Sequence, residues 1–161
     1  MSLVVTCTPS IVPGARANTQ SPIENDGFLP AIDPDDVRAS MRVPDNFDPR
    51  RVRASCIGAM LRLAPDLEAW IAEKKAAGHA TLEAVPASRL DGKSRLVLLY
   101  ERAVACHAKA ELIERHRDVD QAGGGQRDAA AVDQTPGELR RDAHHALRQI
   151  LERTPTTVEL I

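Results

Sequence analysis

Between Asp33 and Arg153 the hydrophobic residues follow helical spacing, and the residues between them carry helix start and stop signals. Asp33-Pro34 pairs a capping side chain with proline at the first helical position, which predicts a short helix to about Met41 that Pro44 ends. Asp48-Pro49 repeats the signal. Behind it Val52, Cys56, Ala59, Met60, Leu63, Leu67, Trp70 and Ile71 fall on one face. Pro65 lies within this stretch and is expected to kink or break the helix near Ala64, because its ring clashes with the preceding turn. Lys74-Lys75 followed by Gly78 marks the end, with positive charge at the negative pole and then a residue free to take positive φ.

After a connector at 79–91, Asp91 is expected to cap a long helix from Gly92 to Asp118. Leu96, Leu99, Ala103, Cys106, Ala110 and Ile113 form its stripe, and Val97, Tyr100, Val104 and Leu112 widen it. A face that wide predicts a central helix packed on more than one side, and Ala103, Ala105, Ala108 and Ala110 permit close approach. Three glycines, Gly123, Gly124 and Gly125, are entropically unsuited to regular structure and predict a mobile loop. Thr135-Pro136-Gly137-Glu138 reads as a capping box opening a last helix to about Arg153, whose stripe is Leu139, Ala143, Ala146, Leu147, Ile150 and Leu151. No strand is expected within 33–153. The fold class is therefore all-α: a small bundle of three main helices and a short leading one over residues 32–153. An extended N-terminal arm (1–31) and an extended C-terminal tail (154–161) flank it. The arm holds Pro9, Pro13, Pro22 and Pro30, which exclude helix and central strand, and fully stretched it spans on the order of 100 Å.

Composition narrows the function. The chain has 161 residues, enough for one ordinary domain, and Lys+Arg 21 against Asp+Glu 23 leave a net charge of -2. That balance argues against a strongly basic nucleic-acid or membrane-surface binder. Aromatic residues are 2%, too few for a base-stacking platform. No apolar run approaches the roughly 18 residues that cross a bilayer. The stretch from Leu3 to Val12 lacks a positive leader and is interrupted by Thr8 and Pro9, so no signal peptide is expected. Cys7, Cys56 and Cys106 are odd in number and scattered, as free thiols in a reducing compartment would be.

Candidate chemistry is sparse. His144 and His145 are adjacent on a helix and diverge by roughly 100°, as do Cys106 and His107, so neither pair converges on a metal. Cys106 lies on an apolar stripe, unlike an activated nucleophile. The glycine loop lacks the preceding strand and the following Gly-Lys-Ser/Thr of a phosphate loop. No catalytic residue, metal site or cofactor is assigned, and no enzyme activity is expected. Arg140, Arg141, His144 and Arg148 line the polar side of the last helix and are the candidates for contact with a partner or with a channel lumen.

The order of these pieces resembles a known family. NDGFLPAIDPDDVRASMRV (25–43), the connector, long helix and glycine loop (78–125), TPGELRRDAHHALRQI (135–150) and TVELI (157–161) are similar to the head-completion (L-type) proteins of temperate contractile-tailed bacteriophages. The resemblance implies a non-enzymatic virion protein. It would form a ring homo-oligomer of about twelve copies beneath the portal after DNA packaging, closed by head-to-tail contacts. There it would stabilise the filled head and prepare it for tail attachment. The partners implied are the portal protein, copies of itself and a tail-terminator or neck protein, with packaged DNA passing nearby without sequence-specific contact and no membrane. The location implied is the virion head–tail junction, with the host cytoplasm during assembly.

The residues suit that role. An arm can order on a neighbouring subunit during assembly. The apolar tail, Thr157, Val158, Glu159, Leu160 and Ile161, can add a strand to a portal or fill a groove in it. A near-neutral ring would not grip passing phosphates. The alternative is a helical DNA-binding or terminase-associated packaging module using Arg140, Arg141 and Arg148.

Overall fold

The computed structural model describes residues 20–122 and 134–152, which form four helices and a small two-stranded hairpin. The expected caps set the first two helices. The Asp33 carboxylate accepts from Asp35 N at 2.8 Å and starts α1 (Pro34–Ser40). The Asp48 carboxylate accepts from Arg50 N at 2.7 Å and starts α2 (Pro49–Ala76). At the far end of α2, His79 N reaches Lys74 O at 3.1 Å and Gly78 N reaches Lys75 O at 3.0 Å, with Gly78 at φ 93°. This Schellman closure needs a residue tolerant of positive φ.

Of the kink or break that the sequence suggests near Ala64, the break does not occur: helix α2 runs continuously through Pro65. Pro65 is exposed while Leu63 and Leu67, two positions to either side, are each 1% exposed. The carbonyl deprived of its donor belongs to Leu61, which is on the solvent side, and the buried leucines hold both halves on the core.

The start of the next helix also differs. Asp91 does not cap it. Arg89–Leu90 (β1) and Lys93–Ser94 (β2) pair antiparallel, with Arg89 opposite Ser94 and Leu90 opposite Lys93. Asp91 (φ 47°) and Gly92 (φ 75°) make the two-residue turn. Asp-Gly is the dipeptide such a turn favours, since both positions require positive φ. Helix α3 (Arg95–Ala122) begins after the hairpin, with Ser94 Oγ accepting from Leu96 N at 3.3 Å.

Helix α3 is central, packing on α2 along one side and on α4 (Pro136–Ile150) along the other, as its wide apolar face predicts. Val52, Cys56, Ala59, Leu63 and Leu67 of α2 meet Leu96, Tyr100, Ala103 and Val104 of α3. Small residues let α4 approach closely: Cys106 and Ala110 pack with Leu139 and Ala143. Helix α4 ends at Ile150 rather than Arg153, because Leu151 caps it and Glu152 turns to φ 54°.

The N-terminal boundary moves furthest from expectation. Residues 20–31, read as part of an extended arm, belong to the helical body. Ile23 and Ile32 exchange both backbone hydrogen bonds, at 2.7 and 2.9 Å. They close a loop whose Phe28 is 2% exposed. The Asp26 carboxylate accepts from Phe28 N at 3.1 Å and pairs with Lys75 at 3.0 Å, while the Lys75 ammonium lies 5.4 Å from the Phe28 ring centre. Asn25 Nδ2 donates to the Tyr100 hydroxyl at 2.9 Å, tying the loop to α3. Proline excludes helix here, but it does not exclude an irregular segment that buries Ile23, Phe28 and Ile32. Residues 1–19, the glycine loop and the tail from 154 lie outside the described residues.

Candidate functional site

The polar side of α4 is positioned by its capping box. Thr135 Oγ1 accepts from Glu138 N at 3.3 Å, and Glu138 returns a carboxylate oxygen to Thr135 N at 2.8 Å. These bonds hold the Glu138 carboxyl below the usual carboxylate range. With Leu139, Ala143, Ala146, Leu147 and Ile150 buried, the four candidates are carried to the other side of the helix, but into different surroundings. Arg141 is exposed, whereas Arg140 and Arg148 are half-buried. Arg140 forms a close ion pair with Glu114 of α3. Two residues on, Asp142 takes a bond from Arg102 of α3 at 3.3 Å.

His144 is exposed, but its ring sits edge-on to that of His107, with centroids 5.6 Å apart and planes at 83°. His107 is 5% exposed on α3. Its pKa falls to about 4, chiefly because burial disfavours the imidazolium, and further because His144, Arg62 and Arg140 are near; Asp66 opposes the shift. His107 is therefore neutral near pH 7. The Arg140–His144 face is thus a seam joining α4 to α3, with α2 charges close by. A site built to collect phosphates would keep its cations unpaired.

The two cysteines among the described residues are buried. Burial pushes the Cys56 thiol up to about 12 and raises that of Cys106, the reverse of an activated nucleophile. Among the described residues, no group of three His, Cys, Asp or Glu side chains is placed to hold a metal ion. No helix among them is long and apolar enough to cross a membrane.

Two surface features escaped the sequence reading. One is an open cleft of about 810 Å³ between α1 and α3 that reaches the start of α4. Ile32, Val37, Ala105 and Cys106 make its apolar floor, and charged residues including Asp33, Asp36, Glu101 and Asp142 stand around it. No local pattern announces a cleft formed by three distant segments. The other is an exposed apolar pair on α2, Ile57 (39% exposed) and Leu61 (69%). Its signal was present: these residues are four apart, off the buried stripe.

The sequence model described as phage head completion protein (GPL) matches residues 23–161, beginning at the isoleucine where the docked loop begins. The head completion/stabilization protein of Escherichia phage P2 is 39% identical over 134 residues, which cover 83% of this chain and 79% of that protein. No solved structure matches the chain.

Proposed function

This chain belongs to the phage head completion protein (GPL) family, and from that membership we propose that it works as a structural adaptor of the phage neck. Its coarse role is head completion and stabilisation in the virion. In the finer reading, copies form a ring beneath the portal once DNA is packaged. They stabilise the filled head and present a surface for a tail-terminator or neck protein. The observation that carries this reading is the family match, which takes in the docked loop, all four helices and the tail.

Three physical features support it. The buried clusters among the described residues are apolar, which fits a protein that meets its partners through its surface. The net charge of -2 and the pairing of Arg140 with Glu114 leave weak electrostatic attraction for duplex DNA, so a strand can pass without being held. The last five residues, Thr157–Ile161, combine β-branched and apolar side chains suited to pairing with an exposed strand or filling a groove on the portal.

The test is complementation of a phage lacking its head-completion protein, with filled heads counted by nuclease protection of their DNA. The full chain is expected to restore protected heads. Deletion of 154–161 is expected to abolish attachment to the head while leaving the thermal unfolding of the helical body intact. Normal yields of completed heads from the truncated chain would overturn the docking role of the tail. A reconstruction of the head–tail junction would test the ring.

A further inference from the structure

Ser55, Ser94 and His107 are the buried polar side chains among the described residues. Ser55 Oγ donates to Val52 O at 2.8 Å, and Ser94 Oγ accepts from Leu96 N at 3.3 Å. His107 meets a ring, that of His144, edge-on at 5.6 Å. The charges that face it come from both neighbouring helices. Helix α2 presents Arg62 and Asp66, one of each sign, whose effects on an imidazolium oppose each other. Helix α4 presents Arg140 and His144, and both act against a proton on His107. On α3 itself Glu111 is engaged by Arg115 at 2.8 Å, and Glu114 by Arg140. A proton on His107 is therefore opposed by burial and by α4. Moving α4 away relieves both at once, whereas moving α2 away removes Asp66, the charge that favours it.

The two halves of α4 are held differently. Ala146, Leu147 and Ile150 join the main core with residues of the N-terminal loop, α2 and α3. Leu139 and Ala143 pack apart from it, in a second cluster with Cys106 and Ala110 of α3, with Met41 and Ile113 at its edge. Leu139 is the one large aliphatic among those four buried residues, so the cluster removes little apolar area from water. The rest of the attachment is polar, through Arg140–Glu114 and Arg102–Asp142. Ion pairs so open to solvent contribute little. The first half of α4 is thus the weaker half, and it is the half beside His107.

We propose that His107 is a proton-triggered catch for α4: when it is protonated, the first half of the helix, Pro136–His144, lifts off α3 while the second half stays anchored in the main core. Released, so short a stretch unwinds, because a helix of this length is not stable alone in water. Lifting uncovers Leu139 and Ala143 together with Cys106 and Ala110, so acid turns a closed seam into an apolar face. The device does not depend on the adaptor reading, since it follows from contacts inside one chain.

The test is backbone hydrogen exchange of the full chain at pH 7.5 and pH 5, each corrected for the intrinsic pH dependence of exchange. Protection over 139–145 is expected to fall roughly tenfold to thirtyfold at pH 5, because the released form binds the proton more readily than the closed one. Amides at 148–151 and along α2 should keep their protection. His107→Gln, neutral at both pH values, should abolish the fall. Equal loss across α2 and α4 overturns the proposal, since the whole body is then weakening. Unchanged protection in α4, or a fall that survives His107→Gln, overturns it as well. If His107→Gln does not fold by thermal melt, His144→Gln takes its place at an exposed position. A distinctly smaller fall is then expected, and an undiminished one overturns the proposal.

Discussion

His107 shows how one residue changes meaning between sequence and fold. On its own helix it adjoins Cys106 and diverges from it; across the α3–α4 seam it meets His144. Its folded pKa of about 4 lies below the ordinary value of 6.5, so between those values the unfolded chain binds more protons than the folded one. Stability therefore falls as pH drops from about 6.5 toward 4, by roughly 3 kcal/mol at most from this group. Urea midpoints at pH 7.5 and pH 5 measure it, and His107→Leu should show a distinctly smaller drop between the two. Gly58 offers a second case at this scale. A methyl there would meet Glu111 Oε2 at 2.9 Å, the end of a flexible side chain that can swing aside. Gly58→Ala is expected to be neutral or stabilising by up to about 1 kcal/mol, since glycine in a helix interior is costly.

The helices show which local rules survive packing. The Thr135–Glu138 box formed as read, because its bonds lie within one turn and depend on little beyond it. Thr135→Ala should lower stability by about 1 kcal/mol in a denaturant titration. Pro65 shows the opposite. The isolated rule says break, yet buried leucines on either side keep α2 continuous. The helix hydrogen bond that proline cannot donate is still missing, so Pro65→Ala should raise stability by about 1–3 kcal/mol, readable as a higher melting temperature. If the melting temperature does not rise, the proline sits without cost. Asp91-Gly92 was legible in principle, since Asp-Gly is a hairpin signal. It was outweighed by the helical stripe beginning at Leu96, and two-residue strands carry no alternation to read.

For the whole molecule, the docked N-terminal loop is the main departure. An appendage can be removed without cost, whereas Phe28 at 2% exposure cannot. Truncation to a start at Asp33 should therefore lower the melting temperature sharply. Phe28→Ala in the full chain should cost about 3–5 kcal/mol, the scale of a large core ring replaced by a cavity. At the same scale, a net charge of -2 predicts negligible duplex-DNA affinity at physiological salt by titration. A steep salt-dependent affinity, lost on changing Arg140, Arg141 and Arg148 to Ala, would instead favour a packaging module.

The amino-acid order by itself determined the helical class, three of the four helix starts, the apolar stripes and the central place of α3. Each follows from caps and periodicities spanning a few residues, where neighbours in sequence are neighbours in space. The likeness of four segments to head-completion proteins was legible for a related reason, since matching words in matching order need no coordinates. Tertiary structure alone decided the docking of Ile23 and Phe28, the continuity of α2, the His107–His144 contact and the α1–α3 cleft. Each of these depends on side chains from distant segments competing for the same core, and no local pattern encodes which of them will meet.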